Sequence, residues 1–458
     1  MLRVCLAAGV LAVAIPAASA QPAPPPTDPL AAFDAELGSI LGRPGGLTAS
    51  DAAARAARTS PAAARKRADA EAAQTAIGQI KIALIPITKL SASYTRLSDV
   101  DALPFGMTPI EPVLNAVHVG AETVVPLTDL VFRLPPAKRA AEAQVRATEL
   151  AGQASALDAG AQAEQLYLEW VRASLATVVA ERQVVQVEAT RAQVAVLVEV
   201  QRASRADLLQ LEAGKAQAEL AVVQLTQART VLGDQLRVLI GAGPDEPLAI
   251  GDDVRTLDEL PALDTDRAML SAAMTRRPEA QALAAALDGL DEHRRDTKVQ
   301  RLPKLNVFGQ VAYDRPNQRY FLEPDQFNLS WAVGLSVTWS PNDFLYTDPQ
   351  VAAIDAQARG LAADRRGLEM GIESQIASAR SALTVADAAY AASQRGLAAA
   401  AESYRVRQDL LASERATATE LIVAETTLTT ARLAAINALI DRRIAWARLR
   451  YAAGLDVP

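Results

Sequence analysis

The chain has 458 residues, of which half are hydrophobic and only 4% aromatic, and its formal net charge is −7. An acidic chain of this kind is not expected to bind nucleic acid. It contains one cysteine, Cys5, and two histidines, His118 and His293. The histidines are far apart in the sequence, so each is interpreted as a lone surface residue rather than as a metal ligand.

Residues 1–20 have the pattern of a secretory signal peptide. Arg3 gives a positive start, residues 5–16 are apolar, and the Ala-Ser-Ala of residues 18–20 supplies the small residues of a cleavage site. A buried N-terminal helix is the alternative. Cleavage after residue 20 would remove Cys5, which excludes disulfides, thiolate chemistry and a cysteine-linked lipid from the mature chain. We therefore expect the mature protein to function beyond the inner membrane.

Residues 21–48 are predicted to form a Pro-rich, mobile leader. They include PAPPPTDP at residues 22–29, a run that cannot pack into a core. After this leader, two copies of one structural plan are predicted, over residues 49–258 and 259–458. Each copy is expected to contain a helical segment, two strands and a long helical hairpin.

The internal duplication is visible in aligned pairs of segments. QRASRADLLQLEAGKAQAEL begins at Gln201 and ERATATELIVAETTLTTARL begins at Glu414, an offset of 213 residues. VGAETVVPLTD and VGLSVTWSPND are offset by 214, and Pro61 and Pro278 by 217. Small drifts in offset between such landmarks are what loop insertions produce, so the pattern indicates a repeat.

Each copy opens with a helical segment, at residues 50–82 and 266–301. Both segments have a helix-forming composition and one internal proline, Pro61 or Pro278. We expect each segment to stack end to end on the shorter arm of its long hairpin. The opening segment and the shorter arm, placed end to end, would then match the longer arm in length.

The strands that follow are clearest in the second copy. QFNLSWAVGLSVTW, at residues 326–339, alternates with a strict period of two, and residues 302–315 follow the same pattern. The equivalent strands of the first copy, at 84–97 and 112–125, are weaker. Strands of this length with one apolar face suit a transmembrane β-barrel, and a soluble sandwich is the alternative. The predicted lipid-facing residues are Trp331, Val333, Leu335, Val337 and Trp339.

Two proline-free blocks, residues 137–243 and 350–457, are rich in Ala, Leu, Glu, Gln and Arg and are predicted to be helical. An unbroken helix of this length would span roughly 160 Å, so each block is expected to turn back. A capping box marks the start of each return arm. In it, Ser204 is followed three residues later by Asp207, and the second copy repeats the arrangement. Each block is therefore predicted to be an antiparallel helical hairpin.

The order and spacing of these features resemble those of the TolC-like outer-membrane efflux proteins, from about residue 50 to residue 454. No single motif is specific, but together they are. The motifs are TRRPEAQAL from Thr275, RLPKLNVFG from Arg301, VGLSVTWSPND from Val333, the acidic motifs Asp207-Leu208-Leu209 and Glu420-Leu421-Ile422, and ARLRYAAG from Ala447.

The resemblance implies a mainly α fold with β strands, in which long antiparallel hairpins form a trimeric α-barrel tunnel. Each chain of the homotrimer would contribute four strands to one 12-stranded transmembrane β-barrel in the outer membrane, and the tunnel would project into the periplasm. The family acts as the exit duct of tripartite efflux or type I secretion systems, docking to a periplasmic adaptor and an inner-membrane pump. It performs no chemistry, so no catalytic, cofactor-binding or metal-binding residues are expected.

The turns of the two hairpins are the predicted periplasmic tip. Gln201 and Glu414 stand where the family usually has glycine, and Val423 stands where the best-known members have a second acidic residue. The acidic residues of the tip are interpreted either as a ring at the tunnel mouth or as capping carboxylates at helix starts. The tip and constriction candidates are Gln201, Arg202, Ser204, Asp207, Glu414, Arg415, Thr417 and Glu420.

A periplasmic coiled-coil adaptor or scaffold without a transmembrane barrel is the alternative function. Such a protein would also be helical and rich in alanine. An adaptor ordinarily has one hairpin and separate β domains, whereas two hairpins and four amphipathic strands are predicted here. An enzyme is disfavoured because the sequence contains no nucleophile–base pattern and no dinucleotide-binding loop.

Overall fold

The computed structural model describes the chain from residue 29 to residue 456, apart from several short gaps. The described ranges are 29–82, 85–98, 103–105, 108–110, 113–256, 264–320, 325–413 and 415–456. The predicted signal peptide and the first part of the predicted leader lie outside them.

The helices and strands follow the repeated plan. Helix α1 (Pro29–Ile40) precedes the first copy. The first copy contains α2 (Ala49–Thr59), α3 (Pro61–Ile82), β1 (Ile87–Arg96), β2 (Leu103–Phe105), β3 (Thr108–Ile110), β4 (Asn115–Pro126), α4 (Leu134–Glu199) and α5 (Arg205–Ile240). The second copy contains α6 (Asp266–Arg276), α7 (Pro278–Val299), β5 (Lys304–Arg315), β6 (Asn328–Thr338), α8 (Asp343–Ala412) and α9 (Ala418–Ala452).

The four long strands form one antiparallel sheet in the order β1-β4-β5-β6. The two copies meet at its centre, where Ala121 of β4 lies opposite Val311 of β5. In the β-hairpin that β5 and β6 form, Gly309 lies opposite Val333. Strands β2 and β3, which the sequence did not predict, form a separate two-stranded hairpin in the loop between β1 and β4. The predicted strands are thus confirmed to within a few residues, and β1 and β6 are the edges of the sheet.

The two helical hairpins have one long and one short arm each. Helices α4 and α8 contain 66 and 70 residues and are therefore about 100 Å long, whereas α5 and α9 contain 36 and 35 residues. Both return arms begin with a complete capping box, at Ser204 and at Thr417. The predicted hairpins and their capping boxes are confirmed.

The short helices complete the short side of each hairpin. Thr59, at the end of α2, donates a hydrogen bond from Oγ1 to the carbonyl of Leu239 near the end of α5 (3.2 Å). In the second copy, Arg277 donates from Nη1 to the carbonyl of Ala452 at the end of α9 (3.4 Å). Helices α2 and α3 pack along α4, α6 packs along α8, and α7 packs along both α4 and α8. Both junctions support the predicted end-to-end stacking.

The main hydrophobic core lies where α1, α2, α4, α5 and α9 meet. It includes Tyr167 and Trp170 of α4, Leu236 of α5 and Ile440 of α9, all nearly inaccessible to solvent. Many other core positions are alanines, which allow the helices to approach one another closely. This core joins the two hairpins of one chain at mid-length.

Helix α1 lies within the segment that was predicted to be a mobile leader. Its residues Phe33 and Leu37 are buried in the main core, and Leu47 forms a parallel β-bridge with Ile250. The prediction is therefore wrong from residue 29 onward. Apolar residues at helical spacing give this segment a face that packs, which its proline-rich beginning obscured.

Candidate functional site

One face of the sheet is apolar across all four strands. Because residues opposite each other in paired strands share a face, Trp331, Val311, Ala121 and Leu90 form one row across the sheet. Trp331, Val333, Leu335 and Val337 are 68%, 71%, 70% and 68% exposed. Within the described strands the charged residues on this face are Arg96 and Arg315, which lie at the strand ends farthest from the helices. The predicted alternation in β6 is confirmed.

The opposite face of the sheet carries the remaining charged residues of the described strands. Lys89 and Glu122 lie opposite each other, and the other ionisable side chains are His118, Lys304 and Asp314. Strand β6 presents Ser330, Ala332, Gly334 and Ser336 to this face, all half-buried. The sheet therefore has one face suited to an apolar solvent and one suited to water.

A chain of hydrogen bonds crosses three strands on the polar face. The Oγ of Ser91 lies 3.0 Å from Nε2 of His118, whose Nδ1 lies 2.6 Å from Oδ1 of Asp314. A Cβ on Gly120 would lie only 2.9 Å from the imidazole ring, so this glycine makes room for His118. His118 therefore lies at the surface of the sheet, as expected, but it is not isolated, because it contacts Ser91 and Asp314. Asp314 is 196 residues away in the sequence, beyond the reach of a local pattern.

The order of these hydrogen-bonded side chains, Ser91, His118 and Asp314, is that of a serine hydrolase triad. Acyl transfer also requires backbone or side-chain donors placed to stabilise an oxyanion. Strands β4 and β5 are paired on both sides, so their backbone N–H groups are engaged in the ladder. The arrangement is better explained as polar side chains that satisfy one another on a hydrated face.

Exposed aromatic and apolar side chains surround the junction between the sheet and the helices. Trp339 donates a hydrogen bond from Nε1 to the carbonyl of Arg301 (3.2 Å) and remains 54% exposed. Phe132, Phe344 and Tyr346 are also exposed there. Aromatic rings at one rim of an apolar sheet are typical of a membrane–water interface.

The first hairpin tip is organised around a capping box. Ser204 accepts a hydrogen bond on Oγ from the N–H of Ala206 (3.1 Å), and its own N–H donates to Oδ2 of Asp207 (3.2 Å). The N–H of Arg202 donates to the carbonyl of Leu197 (2.8 Å). Gln201 has a φ of 58°, a left-handed conformation that glycine adopts most easily. Glycine, the residue that the TolC-like resemblance leads us to expect at this position, would meet this requirement without strain.

The second hairpin tip repeats the arrangement. Thr417 accepts a hydrogen bond on Oγ1 from the N–H of Glu420 (3.3 Å) and donates its own N–H to Oε2 of that carboxylate (3.2 Å). Arg407 places Nη1 3.0 Å from the same oxygen. The N–H of Arg415 donates to the carbonyl of Leu410 (2.8 Å), and Glu414 lies outside the described residues. Both acidic residues of the tips thus act as helix caps.

The structure also brings the two tips together. Thr419 of the second hairpin donates from Oγ1 to Oδ1 of Asp207 in the first (2.9 Å). Asp207 therefore caps its own helix and links the hairpins. This link could not be predicted from local sequence spacing, because Thr419 and Asp207 are 212 positions apart.

The contact between α4 and α9, which we call the inter-hairpin seam, is rich in polar pairs. Going from mid-length to the tip, Arg450 binds Glu164 (2.8 Å), Arg172 binds Asp441 (2.5 Å), Arg432 donates to Gln186 (3.2 Å) and Thr190 donates to Glu425 (3.3 Å). Sequence reasoning missed this seam, because its members look like ordinary surface residues of alanine-rich helices.

Two charged residues of the seam are almost fully buried. Glu425 is 2% exposed and Arg432 is 1% exposed. Burial raises the pKa of Glu425 to about 7, and burial together with the nearby Arg182 lowers the pKa of Arg432 to about 10. The guanidinium of Arg432 lies over the ring of Phe33 of α1, 5.0 Å from its centre.

This architecture was compared with those of known proteins. No family model and no curated protein matches the sequence. Solved structures do match. The outer-membrane channel OprN aligns over 92% of this chain and 91% of its own, with a TM-score of 0.68 and 17% identity.

The MtrE outer membrane channel of Neisseria gonorrhoeae aligns over 89% of this chain and 88% of its own, with a TM-score of 0.70 and 19% identity. The chain has the fold of these outer-membrane channels. The CmeC outer membrane channel of Campylobacter jejuni aligns over 96% of this chain and 90% of its own, with a TM-score of 0.69 and 14% identity. The channel fold predicted from the TolC-like resemblance is confirmed for the single chain.

Among the described residues, no helix is both long enough and apolar enough to cross a membrane.

Proposed function

We propose that the protein is an exit duct of the outer membrane that passes substrates from the periplasmic side to the exterior. In this proposal the apolar face of the sheet contacts lipid and the polar face lines the pore. The observation that carries the proposal is the two-faced sheet, in which large apolar side chains such as Val333 and Leu335 are about 70% exposed. In water such a surface would be costly, whereas in lipid it is stabilising.

The open edges of the sheet support assembly. Strands β1 and β6 each have one unpaired side, and every unpaired backbone group costs several kcal/mol in lipid. Pairing β6 of one copy with β1 of the next would remove both edges. Three copies would form a barrel of twelve strands, and the resemblance to TolC-like proteins favours that number. The helical hairpins would then form a continuous tunnel in the periplasm.

The proposed partners are a periplasmic adaptor and an inner-membrane pump of a tripartite efflux or type I secretion system. Support for them comes from the resemblance and from the two hairpin tips, which lie together at the end of the helices away from the sheet. No catalytic residue, cofactor or nucleic acid has a part in this proposal. The predicted signal peptide at residues 1–20 would deliver the chain to the periplasm.

Fractionation of cells that express the full chain tests the proposal. We expect the protein in the outer-membrane fraction, migrating on a gel as an oligomer that heating converts to monomer. A porin and a soluble periplasmic protein from the same cells are the controls. Recovery in the soluble periplasmic fraction would contradict the duct and would favour the periplasmic adaptor or scaffold.

An acidic ring at the tip is a separate proposal. Glu420 already caps a helix and binds Arg407, so a ring role would be additional to those contacts. If three copies of Asp207 and Glu420 face the tunnel mouth, Glu420→Gln should reduce cation selectivity in planar bilayers. Unchanged selectivity would leave the carboxylates with their capping role alone.

A further inference from the structure

Glu425 is the one carboxylate of the inter-hairpin seam that is almost completely buried. Its Oε2 accepts a hydrogen bond from Thr190 at 3.3 Å, and its Oε1 has no hydrogen-bond partner among the described residues. It borders a cavity of about 240 Å³ between α4, α5 and α9, which is lined by apolar side chains such as Val187 and Leu211 and by uncharged polar ones such as Gln210. A carboxylate in such surroundings is poorly solvated, so burial favours its neutral form.

Few charges compensate this burial. Arg432 on α9 and Arg182 on α4 are the nearby cations, and Arg182 is itself paired with Glu36 of α1. Helix α8 contributes the phenol of Tyr404, and α5 lines the cavity with uncharged residues. Arg432 and Thr190 stabilise the carboxylate, but desolvation dominates and sets the pKa of Glu425 at about 7.

The position of Glu425 gives this chemistry a structural consequence. Helix α9 belongs to the second hairpin and α4 to the first, so Glu425 is buried only while the two hairpins are packed together. Toward the tip, a small buried cluster of Val187, Val194, Leu211 and Ala418 joins the two hairpins, and the exposed Thr419–Asp207 hydrogen bond follows it. Movement of α9 away from α4 would let water reach the carboxylate through the adjacent cavity.

We propose that the protonation state of Glu425 controls the packing of the second hairpin against the first, with the neutral acid holding the seam closed and the carboxylate favouring its opening. This inference deepens the proposed function and rests on it only for the effect on conduction. The seam itself lies within one chain.

The direction of the pH effect follows from the linkage between proton binding and hairpin packing. The packed seam binds a proton more tightly than the opened one, because the pKa of Glu425 is about 7 when buried and near the ordinary 4.5 when exposed to water. Packing is therefore most favoured below about pH 4.5 and is weakened as the pH rises from there to about 7, above which it changes little. The ratio of closed to open seams should fall by about a hundredfold between pH 5 and pH 9.

Distance measurements between spin labels test this inference. Ala189 of α4 and Thr427 of α9 are exposed residues on either side of the seam. Cys5 is the only cysteine of the chain and lies in the predicted signal peptide, so cysteines introduced at these positions would carry the labels. In the purified mature protein we expect a short distance at pH 5 and a longer one at pH 9, with a midpoint between pH 4.5 and pH 7. The same distance at both pH values would overturn the inference.

The repeat supplies a matched control. Glu425→Gln should keep the seam closed at every pH, whereas Glu212→Gln, at the equivalent but exposed position of α5, should leave the pH response unchanged. Thr190→Val removes a hydrogen bond that stabilises the carboxylate, so the midpoint should move to higher pH. A pH response that persists in Glu425→Gln, or a midpoint that Thr190→Val leaves in place, would contradict the role of Glu425.

Conductance in planar bilayers separates this inference from the proposed function. If the protein forms no pores at any pH while the label distance still changes, the duct proposal fails and the seam inference stands. If pores form but neither the distance nor the conductance depends on pH, the seam inference alone fails.

Discussion

The sheet and the helical hairpins differ in where their large apolar residues lie. In the hairpins the helix–helix contacts bury large apolar residues: Leu421 and Leu428 of α9 are 1% and 0% exposed. On one face of the sheet such residues are exposed, with Trp331 at 68%. The polar residues of the sheet lie on its other face, where Ser91, His118 and Asp314 are joined by hydrogen bonds. In the proposed duct, one chain would therefore be adapted to two solvents, water around the helices and lipid around the sheet.

The same leucine truncation should have unequal effects in the two regions. Leu421→Ala removes a fully buried side chain and should lower the free energy of unfolding by about 2–5 kcal/mol. Leu335→Ala removes one that is 70% exposed in the sheet and should change it by about 0.5 kcal/mol. Thermal melting of both variants in detergent measures this difference. Equal losses would mean that the outer face of the sheet is packed against protein.

Arginine substitutions distinguish the two faces of the sheet. Val333→Arg places a charge on the apolar face and should cost about 2–4 kcal/mol near the bilayer midplane. Ser336→Arg, on the polar face of the same strand, is the matched control and should be tolerated. Ser336 is preferable to Gly334, where a Cβ would lie 2.8 Å from the ring of Phe308. Refolding yield into vesicles reports the effect, and equal tolerance of both arginines would favour a soluble sheet.

The capping boxes should stabilise the helical region to a smaller extent. Ser204→Ala and Thr417→Ala each remove the side-chain acceptor of a helix start, and each should cost about 0.5–2 kcal/mol. Ser378→Ala, at an exposed position inside α8, is the control and should be neutral or slightly stabilising. Amide hydrogen exchange in the tips is the measurement. Unchanged exchange in α5 and α9 would show that the caps contribute little.

The smallest effect is expected at the first turn. Gln201 adopts a φ of 58°, so Gln201→Gly should relieve strain and stabilise the tip by up to about 1 kcal/mol. Gln193→Gly, at an exposed position inside α4, should destabilise by about 1 kcal/mol. Melting temperatures that shift in opposite directions would support this account, and a loss of stability in Gln201→Gly would contradict it.

Local patterns in the sequence predicted much of the fold. The period of two in residues 326–339 and the capping boxes at Ser204 and Thr417 are complete within a few residues, so the strands and the return arms could be located. Helix α1 was missed because its apolar residues follow a proline-rich run. The single signal that pointed to it was the spacing of Phe33, Leu37 and Leu41.

Burial in the seam could not be predicted in this way. Glu212 and Glu425 occupy equivalent positions in the repeat, yet the first is exposed and the second is buried. Helix α9 packs against both α8 and α4, whereas α5 packs mainly on α4. The difference arises from the tertiary arrangement of nearly identical patterns, so the buried carboxylate is visible only in the structure.

The mass of the detergent-solubilised protein, measured by light scattering with the detergent contribution subtracted, tests whether copies of the sheet close into one barrel. A sheet with an outer apolar face and two open edges is expected to be closed by other copies, and four strands per chain in a twelve-stranded barrel require three. The account predicts three times the mass of one mature chain. A monodisperse monomer that retains its strand content would contradict it.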